Sequence, residues 1–297
     1  MDSKKLVRCA AHAGSWYDSN PNTLGSKLKG WLDSATSTIQ PQKLKAIIGP
    51  HAGYSFCGHV AAFAYQYVAQ HRKQYKTVVL LGPSHKVHLS GCAISNCTTW
   101  ETPIGNFEVD QDIYSELLSN KSVEWQATTK KIDENEHSME MHLPFMRLCL
   151  DQGTKIVPIM VGNLSDTQAD KFGKVLAKYF DRDDTLFVIS SDFCHWGSNF
   201  DYRPYDKSCG QIHEYIEKLD HEGMHHIENN DYNGFTKYLS QTDNTICGRE
   251  PIKLLLKTIK SSQFGGPDIK FVKYDQSNKV MGMKDMSVSY ASALVYL

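Results

Sequence analysis

Three apolar runs in this 297-residue chain end alike, each delivering an imidazole. They are Ile47-Ile48-Gly49-Pro50-His51, Leu80-Leu81-Gly82-Pro83-Ser84-His85 and Val188-Ile189-Ser190-Ser191-Asp192-Phe193-Cys194-His195. In open α/β sheets ligands bind beyond the carboxyl ends of strands, and a Gly-Pro pair ends a strand sharply. One histidine after a strand is ordinarily structural; three at equivalent places point to a site. A thiol joins them in Asn244-Thr245-Ile246-Cys247-Gly248-Arg249-Glu250-Pro251, just before an amphipathic helix. The helix terminus and Arg249 both favour its thiolate, which suits a metal ligand or a redox-sensitive group. Two imidazoles plus one anionic ligand make a three-sided metal site. With a carboxylate that is the pattern of non-haem iron; with Cys the site is softer and also suits copper(I) or zinc.

Two further segments carry chemical side chains. In Glu136-His137-Ser138-Met139-Glu140-Met141-His142-Leu143-Pro144, a helix would put His137, Glu140 and Met141 on one face. His137 reads as part of a polar helix start, while Glu140 and His142 read equally as packing or as pocket residues. His221-Glu222-Gly223-Met224-His225 has the letters of a zinc-peptidase helix. Gly223 in its middle weakens a helix by roughly 1 kcal/mol, and Glu228 and Asp231 stand where the longer form of that motif has Gly and His. It reads as a surface turn after a helix ending near Asp220.

The elements that must position these groups are legible. Ala46–Ile48, Val78–Leu81, Ile156–Val161 and Leu186–Ile189 are short β-branched runs of the kind found in sheets covered on both faces, and Ser287 to Tyr296 alternates. Helical stripes run through Leu24, Leu28, Trp31 and Leu32; Ala61 to Ala69; Phe172, Leu176 and Phe180; Ile212, Tyr215, Ile216 and Leu219; and Ile252, Leu255, Leu256 and Ile259. Asn96 to Thr129 reads as an inserted hairpin region. Strands alternating with helices predict an α/β fold, a single three-layer domain over residues 1–297 with a mostly parallel central sheet.

Composition excludes several classes. With 32 Lys+Arg against 33 Asp+Glu, bulk charge does not drive nucleic-acid binding. The 41% hydrophobic content is too high for disorder. No apolar run approaches membrane-spanning length, and the start lacks a secretory apolar region. The expected location is cytoplasmic, with the nucleus second, and the sequons at Asn96, Asn120 and Asn163 are expected to be idle. The eight cysteines show no C-x-x-C pair. Most read as small buried hydrophobes, Cys194 and Cys247 standing apart by their neighbours.

Six blocks in order resemble the Memo family (mediator of ErbB2-driven cell motility): His12-Ala13-Gly14-Ser15-Trp16-Tyr17, Pro50 to Tyr54, Leu81 to His85, Glu136 to Pro144, Ser190 to Gly197 and Asn244 to Arg249. The resemblance covers essentially the whole chain. It implies a LigB-like fold, that of class III extradiol dioxygenases. It also implies a metal pocket of His51, His85 and Cys247, with Asp192 and His195 beside it as the catalytic pair if a reaction occurs. Iron or copper is the implied cofactor, zinc the third choice. The implied role is redox-linked receptor tyrosine kinase signalling to the cytoskeleton and cell motility, including binding of a phosphotyrosine-containing receptor tail. Cys247 stands where the dioxygenases carry Glu, which ranks ring cleavage below metal-dependent redox chemistry and below a phosphotyrosine-peptide adaptor. Trp16, Tyr54, Glu140, His142 and Arg249 are the expected ligand-pocket residues; for the adaptor, Trp16, Tyr54 and the His cluster are the expected aromatic, partly cationic cleft, with Arg249 the one arginine in a pocket motif.

Overall fold

A computed structural model describes residues 5–36, 39 and 43–297; the first four residues, part of the start read above, lie outside them. Twelve strands are described: β1 Val7–Arg8, β2 Leu44–Gly49, β3 Thr77–Pro83, β4 Cys92–Ser95, β5 Thr99–Trp100, β6 Phe107–Glu108, β7 Trp125–Thr128, β8 Lys155–Val161, β9 Thr185–Ser190, β10 His195–Trp196, β11 Asp268–Gln276 and β12 Ser287–Tyr296. The helices are α1 Pro21–Ser34, α2 Tyr54–Gln70, α3 Gln111–Ser119, α4 Lys130–Asn135, α5 Leu143–Cys149, α6 Asp166–Phe180, α7 Ile212–Glu228, α8 Tyr232–Thr242 and α9 Arg249–Ser261.

The predicted apolar runs became β2, β3, β8 and β9, which pair in parallel in the order β2-β9-β3-β8. β2 and β9 are buried along their whole length, as strands covered on both faces must be. Antiparallel strands extend both edges. β12 joins β2 and carries β10 and β11, while β4 joins β8 and carries β7 in parallel. The nine-stranded sheet is therefore mixed, with a parallel centre. Helix α2 packs on β2, β11 and β12 with α1 and α5 behind it; α6 and α9 pack on β9, and α9 also on β3. Helix starts follow local chemistry: Asn20 caps α1 ahead of Pro21, and Ser165 and Gln168 form a capping box on α6.

Two expectations are corrected. The region Asn96 to Thr129 contains the β5–β6 hairpin, but also α3 and β7. β1 pairs with β5 to make a separate three-stranded sheet. The H-E-x-x-H letters lie inside α7, not in a turn after it. Gly223 is there because α8 comes close: a Cβ would lie 2.8 Å from the Tyr238 ring. His221 and His225 are exposed, and no candidate metal group among the described residues includes them.

The N-terminal segment is locked to the sheet top by charge. Arg8 and Glu140 form a fully buried ion pair at 2.6 Å. The Arg8 guanidinium also donates to the carbonyls of Asp133 and Glu136 and lies over the Trp100 ring. Glu140 accepts from the His12 backbone N–H and side chain and from the Tyr17 hydroxyl. Removing one partner of such a pair leaves an uncompensated buried charge, typically costing roughly 3–5 kcal/mol. We expect Glu140→Ala to lower stability by that order, read by urea denaturation; a loss below about 1 kcal/mol would contradict the pairing.

Candidate metal centre

The site begins with sheet register. β9 lies between β2 and β3, with Gly49 level with Ser190 and Leu81 level with Ile189. Their carboxyl ends therefore open at one height. His51 and His85 follow strands two places apart, roughly 9–10 Å in a sheet, yet their ring centroids are 5.1 Å apart. The rings lean toward each other over the end of β9. Gly82 makes room for the layer above, since a Cβ there would lie 2.5 Å from Met139 and 2.8 Å from the Ser138 hydroxyl.

Each imidazole has one nitrogen committed. Ser190 donates its hydroxyl proton to the Ser138 carbonyl at 2.7 Å, so it can only accept from His51 Nδ1, also at 2.7 Å. His51 Nε2 is left with its lone pair, 3.1 Å from the Cys247 sulfur. His85 Nδ1 lies 2.9 Å from one oxygen of Glu136, and its backbone N–H donates to the other at 2.6 Å. His195 Nδ1 donates to the carbonyls of Phe193 and Thr245, at 2.9 and 3.1 Å. Three Nδ1–H groups are thereby fixed, which leaves the three Nε2 atoms for the cavity. This is the support that metal-bound histidines ordinarily have.

Cys247 reaches the strand ends because Gly248 allows it. A Cβ at Gly248 would lie 2.3 Å from the Ser190 carbonyl and the Ser191 side chain. The sulfur accepts the Asp192 N–H at 3.3 Å. Burial, then Asp192, push the thiol well above its usual range. That reverses the thiolate expected from the helix terminus and Arg249; a bound cation would reverse it again, since coordinated thiols lose their proton. Burial also raises the Asp192 carboxyl, against the pull of His195 and the His51 backbone N–H, which donates to it at 2.8 Å. Asp192 thus holds the His51 loop; carbonyls, not Asp192, orient His195.

The ligand atoms of His51, His85 and Cys247 lie within 4.8 Å of one another, as do those of Asp192, His195 and Cys247. Bonds of about 2.0–2.3 Å at tetrahedral angles would separate such atoms by roughly 3.5 Å. Two imidazoles with Nδ1 committed elsewhere and a soft thiol therefore fit a transition metal. They border a cavity of about 700 Å³ whose walls include Trp16, Phe56, Phe200, Met286 and Tyr290. Its lining includes no Lys or Arg among the described residues.

Sequence reasoning missed two contributors. His137 stacks on His85 with centroids 4.6 Å apart and on Trp16 at 4.3 Å, forming the wall between them. Its pKa falls to about 4, from burial first and against the pull of Glu136. Asp220, buried on α7, accepts from the Cys194 backbone N–H, Asn244 and Tyr274, so it ties the His195 and Cys247 loops together. Burial raises it to about 6 against these hydrogen bonds. A lone Asp on an apolar helical stripe was the available signal.

Of the expected ligand-pocket residues, only Trp16 lines this cavity. Tyr54 donates to the Met141 carbonyl and borders a neighbouring cleft. Glu140 belongs to the Arg8 pair. His142 is buried behind Gly49, bonded to Tyr65 at 2.7 Å, and burial lowers it to about 3. Arg249 is exposed at the start of α9 and outside the lining. Cys194 is buried, and burial raises its thiol; Cys57, Cys92, Cys97 and Cys149 are buried as expected, while Cys9 is exposed.

Fold and site together define a layered α/β protein with a His/His/Cys centre at the ends of its parallel strands. The sequence family described as Memo-like protein matches residues 8–294. Protein MEMO1 of Xenopus laevis is 43% identical over 297 residues, and Protein MEMO1 of Homo sapiens 42%, each over 98% of both chains. Protein memo-1 homolog of Caenorhabditis elegans is 41% identical over 98% of this chain and 83% of its own length. The chain belongs to the Memo family. An uncharacterized Escherichia coli K12 protein of solved structure aligns over 82% of this chain and 98% of its own at 12% identity and a TM-score of 0.47.

Burial raises Glu136 and Glu140, but their partners win and hold both at about 2 against an ordinary 4.5. For Glu136 the largest opposing effect is the His85 hydrogen bond; for Glu140 it is the His12 hydrogen bond, then Arg8. Folded pKa values below the unfolded ones mean that both groups stabilise the fold above pH 4.5 and lose that contribution as pH falls toward 2. Glu136→Gln is expected to flatten the stability–pH curve over that interval; an unchanged slope would count against the pairing. Proton NMR should show the His137 ring neutral at pH 7 and titrating near pH 4.

Proposed function

We propose that this Memo family protein binds one iron or copper ion on His51, His85 and Cys247, with zinc the third choice, and uses it in redox-linked signalling. The observation that supports this most is the commitment of three Nδ1–H groups to protein acceptors around one thiol. When bound, the ion supplies Lewis acidity and one-electron exchange. Glu136 raises the basicity of His85 and fixes its ring, Asp192 anchors the His51 loop, and His195 Nε2 is placed to accept or return a proton at a ligand beside the centre.

The role in receptor tyrosine kinase signalling, the cytoskeleton and motility, in the cytoplasm and also the nucleus, rests on the family resemblance. A phosphotyrosine reading calls for Arg to meet the phosphate, and the lining includes no Arg or Lys among the described residues. Ring cleavage remains the third reading, because Cys247 replaces the carboxylate that the resemblance places there.

The purified chain, loaded anaerobically with Fe(II) and measured by elemental analysis, should carry one ion per chain. His51→Ala, His85→Ala and Cys247→Ser should each lose it. Glu136→Gln should bind roughly 10–100-fold more weakly, the usual effect of removing such support. Undiminished cavity-bound metal in the triple variant overturns the proposal.

A further inference from the structure

Methionine is normally buried, and five of the methionines described here obey that rule. Met139, Met141, Met146, Met160 and Met224 are at most 5% exposed. The other three described are Met281, Met283 and Met286, which are 60%, 49% and 41% exposed and fall within six residues. Three large apolar side chains thus stand exposed on one loop, Met286 among them with its sulfur 3.5 Å from the Asn199 side-chain nitrogen. Their common group is the thioether, a soft neutral sulfur ligand.

The loop is held in a definite shape. The Asp285 backbone N–H donates to the Gly282 carbonyl at 3.0 Å, closing a turn with Met283 at its tip. The Asp285 carboxylate accepts from the backbone N–H groups of Met281 and Gly282, at 3.0 and 2.9 Å. Met281 and Met286 therefore flank one closed turn. Met286 itself lines the cavity that holds His51, His195 and Cys247. It lies against Gly197, whose φ of +135° and lack of Cβ admit it; a Cβ there would be 2.6 Å from that of Met286.

We propose that Met281, Met283 and Met286 form a second site, a thioether site for a soft monovalent cation of the copper(I) class, at the mouth of the cavity. Harder ions such as Fe(II), Mg²⁺ or Ca²⁺ prefer nitrogen and oxygen donors and would not be held there. The site captures the soft ion at the surface, and Met286 shares its cavity lining with the imidazole and thiol donors. The inference stands apart from the cavity assignment, since the thioethers are exposed whether or not His51, His85 and Cys247 bind metal.

Silver(I), a redox-silent stand-in for copper(I), is the probe. The full chain carrying ¹³C-methyl methionine is titrated with it, beside Met281→Leu/Met283→Leu and His51→Ala/His85→Ala/Cys247→Ala. Leucine keeps the apolar volume of these exposed positions and removes only the sulfur, so folding is preserved. The expected result is that the methyl signals of Met281, Met283 and Met286 shift while the five buried ones stay, and that the Leu variant binds one equivalent fewer. In the His/Cys variant the loop signals still shift. Unmoved loop signals, or an undiminished silver stoichiometry in the Leu variant, overturn the thioether site. Failure of the cavity assignment shows separately, as undiminished stoichiometry in the His/Cys variant.

Discussion

Two carboxylates buried within five residues, Glu136 and Glu140, impose more on this molecule than any other pair of groups. A buried carboxylate is tolerated only when it is paired and hydrogen-bonded. Glu140 is satisfied by Arg8, His12 and Tyr17, which draws the N-terminal segment over the sheet. Glu136 is satisfied by His85 and the Ser138 backbone N–H, which fixes one wall of the centre. The segment that carries them also supplies the Ser138 carbonyl that sets the His51 tautomer through Ser190. Burial of two charges thus becomes orientation of two imidazoles.

The centre is made of imidazoles and a thiol in a cavity walled largely by aromatic and aliphatic side chains. That choice matters electrostatically. An anion-rich pocket would hold hard divalent ions by charge; under the proposed metal assignment, softness and tautomer geometry would do the selecting. Burial keeps the Cys247 thiol protonated without a cation, so the centre changes its own charge when an ion arrives.

The strand ends were legible because continuous β-branched runs and Gly-Pro punctuation are local signals. His51, His85, His195 and Cys247 followed from them and from the family resemblance. His137 was not legible: it is placed by stacking between Trp16 and His85, residues 16 and 85 of the chain, and no periodicity encodes that. Gly82 was read as a strand terminator and Gly248 was given no role, whereas both serve to let other segments pass close. The same oversight misplaced Gly223, where helix-breaking tendency counted for less than the approach of Tyr238. Arg249 and Tyr54 adjoin the right motifs in sequence, but one projects to solvent and the other packs beneath.

His51 and Cys247 touch across 196 residues of chain. Any ion bridging them would close a loop spanning most of the molecule, from the first central strand to the last helix. Such a clasp adds bonds to the closed chain alone, because the opened chain does not hold its ligands together. The centre is then a keystone: it can exist only when the whole sheet is assembled, and no proteolytic fragment lacking either end could hold it. Occupancy by an ion becomes a report on the integrity of the entire fold, and free metal concentration a lever on how long the protein survives.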